Sequence, residues 1–365
     1  MITKEAVLAA LSEVQEPDLG KDLVTLNMIT DIAIDGKHIS FTVILTTPAC
    51  PLKDMIEKAC VNAIRLLVDK EAVVKVNMTA NVTNNRKDNK AVLPGVKNII
   101  VVASGKGGVG KSTVSVNLAI GLAREGASVG LLDADIHGPS IPMMLGMRDE
   151  RPKMIDIGEK GMIVPIERYG IKAMSIGLLI DEKQAVVWRG PQASAALRQF
   201  ITDVYWQELD YLVIDMPPGT GDIPLTLVQT VPITGAVIVS TPQAVAAADA
   251  KKAIMMFKQP AINVPILGIV ENMAYFTPQE LPDNKYYIFG QGGARSMAEQ
   301  FELPFLGEIP IVQSIREGGD SGVPAVVNDE AVSRDAFTTL AKKVAQSVAM
   351  RNANMAPTKV VEMVG

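Results

Sequence analysis

Gly105-Lys106-Gly107-Gly108-Val109-Gly110-Lys111-Ser112-Thr113 holds two glycines separated by four residues and followed at once by Lys and Ser. That spacing is the pattern of a loop that wraps phosphate groups. The flanks agree with it: the apolar run Ile99–Ala103 leads straight in, and a helical run, Val114 to Ala123, leads out. A strand feeding a helix through such a loop aims backbone N–H groups and a helix N-terminus at one point. A Cβ at the glycines would block either the turn or the approach of the phosphates. Lys111 then neutralises phosphate oxygens and the Ser112 hydroxyl binds Mg²⁺. A bare Gly-rich turn would not need this Lys-Ser ending, so a nucleoside triphosphate site is expected.

Outward from the loop, apolar runs at Ser128–Leu132, Tyr211–Ile214, Ala236–Ser240 and Ile266–Val270 alternate with helical stretches. Such alternation predicts an α/β domain with a mostly parallel sheet. Two of the runs end in carboxylates, Asp215 and the pair in Asp133-Ala134-Asp135. Beside a phosphate loop, Asp215 is placed to hold the Mg²⁺ water shell, and Asp135 is the second candidate site acid. From Val326 to Met350 there is no Gly or Pro, which predicts a terminal amphipathic helix. The P-loop ATPase domain is thus expected over 96–350, with a loose tail over 351–365.

Residues 1–80 form a different pattern. Thr3 to Leu11 and Pro51 to Val68 have helical periodicity, while Asp31–Ile34 and Ile39–Leu45 alternate like strands around an Asp35-Gly36 turn. Val73–Met78 reads as one more strand, so a small α+β domain is expected. Residues 81–95 contain the polar run Thr83 to Lys90 and read as a linker.

Composition narrows the function classes. The 35 basic residues fall short of the 40 acidic ones and form no basic run, which argues against a nucleic-acid partner. No stretch approaches the ~20 apolar residues of a membrane span, and the N-terminus lacks a secretory layout, so a cytoplasmic protein without a membrane partner is expected. Two cysteines, Cys50 and Cys60, exclude a disulfide framework and any metal centre built from Cys ligands of one chain.

Lys106, one residue after the first glycine, resembles the signature lysine of the MinD/ParA/ArsA group of deviant P-loop ATPases. Together with Asp133 to Ser140, Trp188-Arg189-Gly190-Pro191, Ile214 to Asp222 and Ile269-Val270-Glu271-Asn272-Met273, the loop resembles the Mrp/ApbC family of iron–sulfur cluster carriers. That resemblance implies an ATPase working as a homodimer. In it Lys106 reaches the partner's ATP and, with Lys111 and Asp135, is catalytic; Asp135 orients the attacking water. Gly105, Lys106, Gly107, Gly108, Val109, Gly110, Lys111, Ser112 and Thr113 surround ATP, Asn272 contacts the adenine edge, and Ser112 and Asp215 hold Mg²⁺. It also implies a [4Fe–4S] cluster as cargo, delivered to apo client proteins or taken from scaffold proteins. Thr46-Thr47-Pro48-Ala49-Cys50-Pro51 resembles the cysteine loop of the small iron–sulfur-assembly domain often fused ahead of such ATPases. Cys50 stands between a strand and a helix, where N–H groups are expected to lower a thiol's pKa; Cys60 is expected to be core.

The chain departs from that family at one place. Typical members carry a C-x-x-C pair soon after Glu-Asn-Met, whereas residues 274–290 contain no cysteine. Glu280 and Asp283 are hard oxygen ligands, poorly suited to a cluster. Three readings stay open: a cluster held through Cys50, an ATP-driven adaptor whose clusters are handled elsewhere, and a MinD/ParA-like positioning ATPase. His137 is expected to serve the loop after Asp135 without proton transfer, the pairs Met143-Met144 and Met255-Met256 to fill core, and Arg316 has no derivable role.

Overall fold

The protein is described from a computed structural model covering residues 2–86, 92–136, 138–158, 160–179, 190–278, 280–281, 284–328, 331–358 and 360. His137, Trp188, Arg189 and Asp283, singled out above, lie outside the described residues. The chain divides into two compact units, one of residues 1–83 with 349–355 and one of residues 84–348 with 356–365.

In the smaller unit, Thr3 caps the helix Lys4–Leu11, its Oγ1 accepting from the Ala6 amide at 3.2 Å. The strands Ile29–Asp35 and His38–Leu45 pair antiparallel around the expected turn, and Val73–Ala80 adds in parallel to His38–Leu45. The connection between those two parallel strands carries the helix Lys53–Leu67. Leu11, Leu23, Phe41, Ile56 and Ile64 form the core, and Cys60 is buried among them. At about 1.5–3 kcal/mol per fully buried large side chain, this cluster is the main support of the unit.

The larger unit is built on an eight-stranded sheet among the described residues. Its spatial order is Ile166–Arg168, Ile171–Ser175, Val129–Asp133, Leu209–Asp215, Val96–Ala103, Gly235–Ser240, Ile266–Phe276 and Phe305–Ile311. The first strand is antiparallel to its neighbour and all other pairs are parallel. The central strands are buried almost throughout, as parallel strands under helices must be. Each apolar run read as a strand is one. The edge strand Ile166–Arg168, its neighbour Ile171–Ser175 and the exposed ribbon Met154–Ile157 with Lys160–Ile163 were not anticipated; they are short, and the ribbon has no buried face.

Parallel register sets the site. Asp215 lies opposite Asp133 on one side and Val102 on the other, so three strands deliver their C-terminal ends to one edge of the sheet. Ligands bind at that edge in open α/β sheets.

The terminal helix differs from its expected span: it begins at Ala331 and continues to Asn354, past the expected stop at Met350. Pro357 is the first residue that forbids continuation. Residues 351–354 are therefore helical, and Thr358 donates its amide to the Asn85 carbonyl at 2.8 Å, so the expected loose tail is held through that point. No helix among the described residues is long and apolar enough to cross a membrane.

Candidate nucleotide-binding site

The strand Val96–Ala103 passes through Ser104 into the loop, and the helix Lys111–Arg124 leaves it. Gly110 is the N-cap of that helix at φ +81°, and a Cβ there would collide with the Asn272 amide. A Cβ at Gly105 would collide with the Asp249 backbone, so the first glycine lets the loop seat on the helix Ala244–Lys258. Gly107 and Gly108 are exposed at the loop tip, while Val109 is buried.

Lys111 and Asp215 meet under the loop. Lys111 Nζ lies 2.9 Å from Asp215 Oδ1, and both side chains are over nine-tenths buried. The Ser112 hydroxyl donates to Asp215 Oδ2 at 2.6 Å, and Ser115 Oγ stands 2.7 Å from Asp215 Oδ1. A buried carboxylate needs such partners, because an unpaired one would be costly to desolvate. The Ser112 hydroxyl and the Asp215 carboxylate are hard oxygen donors on one face, a set that fits Mg²⁺. The structure thus brings together Lys111, Ser112 and Asp215.

Asp133, next in register to Asp215, is fully buried. Its carboxylate accepts from Ser175 Oγ at 2.9 Å, the Asp135 amide at 3.1 Å and the Ile141 amide at 3.4 Å. One carboxylate therefore pins both ends of the segment 135–141 to the strand Ile171–Ser175. Burial and the neighbouring Asp215 charge push the Asp133 carboxyl up to about 8. Asp135 itself is half-buried at the start of the pinned segment, and its Oδ1 accepts from the Gly138 amide at 3.3 Å. Asp133, Ser115 and Ser175 were not read as site residues. Two of them carried a signal: Ser115 sits one helical turn past Lys111, and Asp133 ends the same strand that points to Asp135.

Asn272 Nδ2 donates to the Val109 carbonyl at 2.9 Å, so this amide braces the loop. Beside it, Glu271 accepts from the Gly292 and Ala294 amides at 3.3 and 2.6 Å and fixes the start of the helix Gly293–Gln300. Thr113 lies in the first turn of the loop helix and offers its carbonyl to Asn117 Nδ2 at 2.8 Å. The Lys106 side chain is half-buried, with no ion-pair partner among the described residues.

Cys50 lies in the other unit, just ahead of the helix Lys53–Leu67. The expected lowering of its pKa is not found: burial pushes the thiol up, the Glu16 and Asp18 charges push the same way, and the Leu52 and Lys53 amides pull against them. The half-buried thiol packs partly against the core, which outweighs the helix N-terminus. Burial pushes the Cys60 thiol to about 12. Among the described residues no group of three or more His, Cys, Asp or Glu side chains is placed to hold a metal ion.

The stretch after Asn272 is aromatic. Tyr275 meets the Tyr287 ring edge-on at 6.4 Å, and Lys285 Nζ stands 4.0 Å from the Tyr275 ring centre. Glu280 is exposed. Arg316 is exposed and pairs with Asp320 and Glu317 on its own helix. Of the methionines, Met256 is core as expected, while Met255 is half exposed.

Comparison with known proteins agrees with this geometry. Residues 95–348 match the model of the NUBPL iron-transfer P-loop NTPase family, and residues 4–78 match the iron–sulfur cluster assembly protein family. The chain is 50% identical to the iron–sulfur cluster carrier protein of Synechocystis sp., over 96% of this chain and 99% of that one. It is 42% identical to the iron–sulfur cluster carrier protein of Escherichia coli, over 94% and 90% of the two chains. Among solved structures, a nucleotide-binding protein from Archaeoglobus fulgidus in complex with ADP superposes with a TM-score of 0.56 at 43% identity, covering 64% of this chain and 89% of that one. This two-unit chain, with its nucleotide-binding P-loop NTPase unit, belongs to the Mrp/ApbC family of iron–sulfur cluster carrier proteins.

Proposed function

We propose that the protein binds and hydrolyses ATP with Mg²⁺ as a homodimer and uses the cycle to carry iron–sulfur clusters to apo client proteins. The observation that carries the reading is the buried Lys111–Asp215–Ser112 constellation beneath a glycine loop, in a chain half identical to a carrier protein over nearly its whole length.

In this proposal the loop amides and Lys111 bind the phosphates, with Lys111 Nζ exchanging Asp215 for phosphate oxygens. Ser112 and Asp215 would hold Mg²⁺, which would supply positive charge against the phosphates. Asp135 orients a water toward the γ-phosphorus; the new P–O bond forms as the bond to the bridging oxygen breaks, and ADP and phosphate leave. Lys106, without an ion-pair partner in its own chain among the described residues, stabilises the transferring phosphoryl group across the dimer. Asn272 braces the loop through one N–H to the Val109 carbonyl, which leaves its Oδ1 and second N–H to contact the adenine edge. The amides of Asp135 and Ile141 are both held by Asp133, which marks the chain between them as the element whose closure on ATP would couple hydrolysis to cargo release.

For the cargo, Cys60 is core and residues 274–290 hold no cysteine, leaving Cys50 as the cluster ligand of each chain. Its coordination would be completed by a second copy or by a client. The raised Cys50 thiol favours a weakly held cluster, and it equally favours a second reading, an ATP-driven adaptor that carries no cluster. Anaerobic reconstitution with iron and sulfide separates them. The carrier reading predicts visible cluster absorbance that Cys50→Ser abolishes; an equal signal in that variant removes Cys50, and no signal in either protein favours the adaptor.

A further inference from the structure

The chain around Asp135 is held from two directions by one short turn, Ile176–Leu178, and by Ser175, which precedes it. Ser175 ends the strand Ile171–Ser175 opposite Asp133 in register and is fully buried. Its hydroxyl donates to Asp133 Oδ2 at 2.9 Å, and the same oxygen accepts from the Gly177 amide at 3.1 Å, which caps the turn. Asp133 Oδ2 also accepts from the Ile141 amide at 3.4 Å, and Oδ1 accepts from the Asp135 amide at 3.1 Å. Rotation of a carboxylate about its last bond is soft, so its partners set its plane. The Ser175 bond is the shortest of the three, and turning the Asp133 carboxylate would move both amides.

The second hold is steric. Ile176 and Leu178 are core side chains, so the turn between them has a fixed place. A Cβ on Gly177 would stand 3.1 and 3.2 Å from Pro139 Cγ and Cβ and 3.4 Å from Pro142 Cγ. The two prolines that follow Asp135 therefore rest on the bare Cα of Gly177. Its φ lies outside the left-handed region, so the space and not the backbone calls for glycine here. By contrast, Lys111, Ser112 and Asp215 are held by their own mutual contacts and by Ser115.

We propose that Ser175 and Gly177 are positioning residues for hydrolysis: Ser175 sets where Asp135 stands through the Asp133 carboxylate, and Gly177 does so through Pro139 and Pro142. Both roles rest on the ATP hydrolysis proposed for this site and assign two further residues to its chemical step. Since the phosphate-binding set is built separately, the turn acts on the rate of that step and leaves ATP binding alone.

Two variants of the full chain reach Asp135 by different routes. Ser175→Ala takes the hydroxyl from Asp133, whereas Gly177→Ala removes no hydrogen-bonding group and pushes Pro139 by a few tenths of an ångström. Alanine also favours a helical turn over glycine, so Gly177→Ala is expected to fold. In each variant kcat for phosphate release with ATP and Mg²⁺ is expected to fall about tenfold, because small misplacements of a water-orienting group are costly. KM for ATP and the calorimetric affinity for a non-hydrolysable ATP analogue are expected to stay within about twofold of the parent, as the phosphate-binding contacts are untouched. Variants that match an active parent in kcat overturn the positioning role and leave the ATPase reading standing; loss in one variant alone overturns the role of the other residue. Equal loss of kcat and analogue affinity also overturns it, since that pattern reports a damaged fold. A parent without turnover is a different result, which removes the ATPase reading and the positioning role with it.

Discussion

Replacing Asp133 by Asn tests the electrostatics of the site at its most buried point. Burial and the adjacent Asp215 raise this carboxyl from an ordinary 3.8 to about 8. In the folded protein it therefore keeps its proton at pH values where the unfolded chain has lost it. At this group the folded state then binds one more proton than the unfolded state, so its contribution to stability is lost as pH rises from 5 toward 8. One proton corresponds to about 1.4 kcal/mol per pH unit, or about 3 to 4 kcal/mol between pH 5 and pH 8. Full burial means solvent screening does not reduce this contribution. Asn cannot titrate, keeps an oxygen for Ser175 and fits the same space. The assay is urea unfolding of the nucleotide-free protein at pH 5, 6, 7 and 8, followed by tryptophan fluorescence, which reports the larger unit alone because both tryptophans lie in it. The slope of stability against pH should be less negative in Asp133→Asn by about 1.4 kcal/mol per pH unit. Identical slopes in the two proteins would show that Asp133 holds no extra proton in the folded state.

Other substitutions probe neighbouring parts. Gly110→Ala forces a Cβ onto a left-handed backbone and into the Asn272 amide, so ATP binding measured by calorimetry should be lost, with partial recovery in Gly110→Ala combined with Asn272→Ala. Ser115→Ala leaves Asp215 without one hydrogen bond in a buried setting; urea unfolding should show a loss of about 1.5–3 kcal/mol, the range for a bond to a charged group. For the cysteines, the native protein at pH 8 should react with a thiol reagent at Cys50 only, and more slowly than a free thiol, because burial holds both thiols protonated. Prompt modification of two thiols per chain would contradict the burial of Cys60.

Much of this arrangement was legible in the residues themselves. The phosphate loop has a spacing few other structures need, and the buried parallel strands show as unbroken Val, Ile and Leu runs. Both are local signals. The short strands Ile166–Arg168 and Ile171–Ser175 were illegible because three to five residues carry no periodicity. The clamp made by Asp133 depends on the register between strands far apart in sequence, so only the folded sheet reveals that it binds both ends of 135–141. Cys50 was misjudged electrostatically: the helix ahead of it was visible in the sequence, but its partial burial and the approach of Glu16 and Asp18 are tertiary features. The terminal helix overran its expected end because nothing between Met350 and Pro357 stops it.

In the proposed function the loop at Gly105–Thr113 binds and hydrolyses ATP through Lys111, Ser112 and Asp215. Steady-state phosphate release from the full chain with ATP and Mg²⁺, beside Lys111→Ala, tests it most directly. Slow turnover is expected from the parent and none above background in Lys111→Ala, with ATP affinity reduced about tenfold or more. Unchanged turnover and affinity in Lys111→Ala would contradict it.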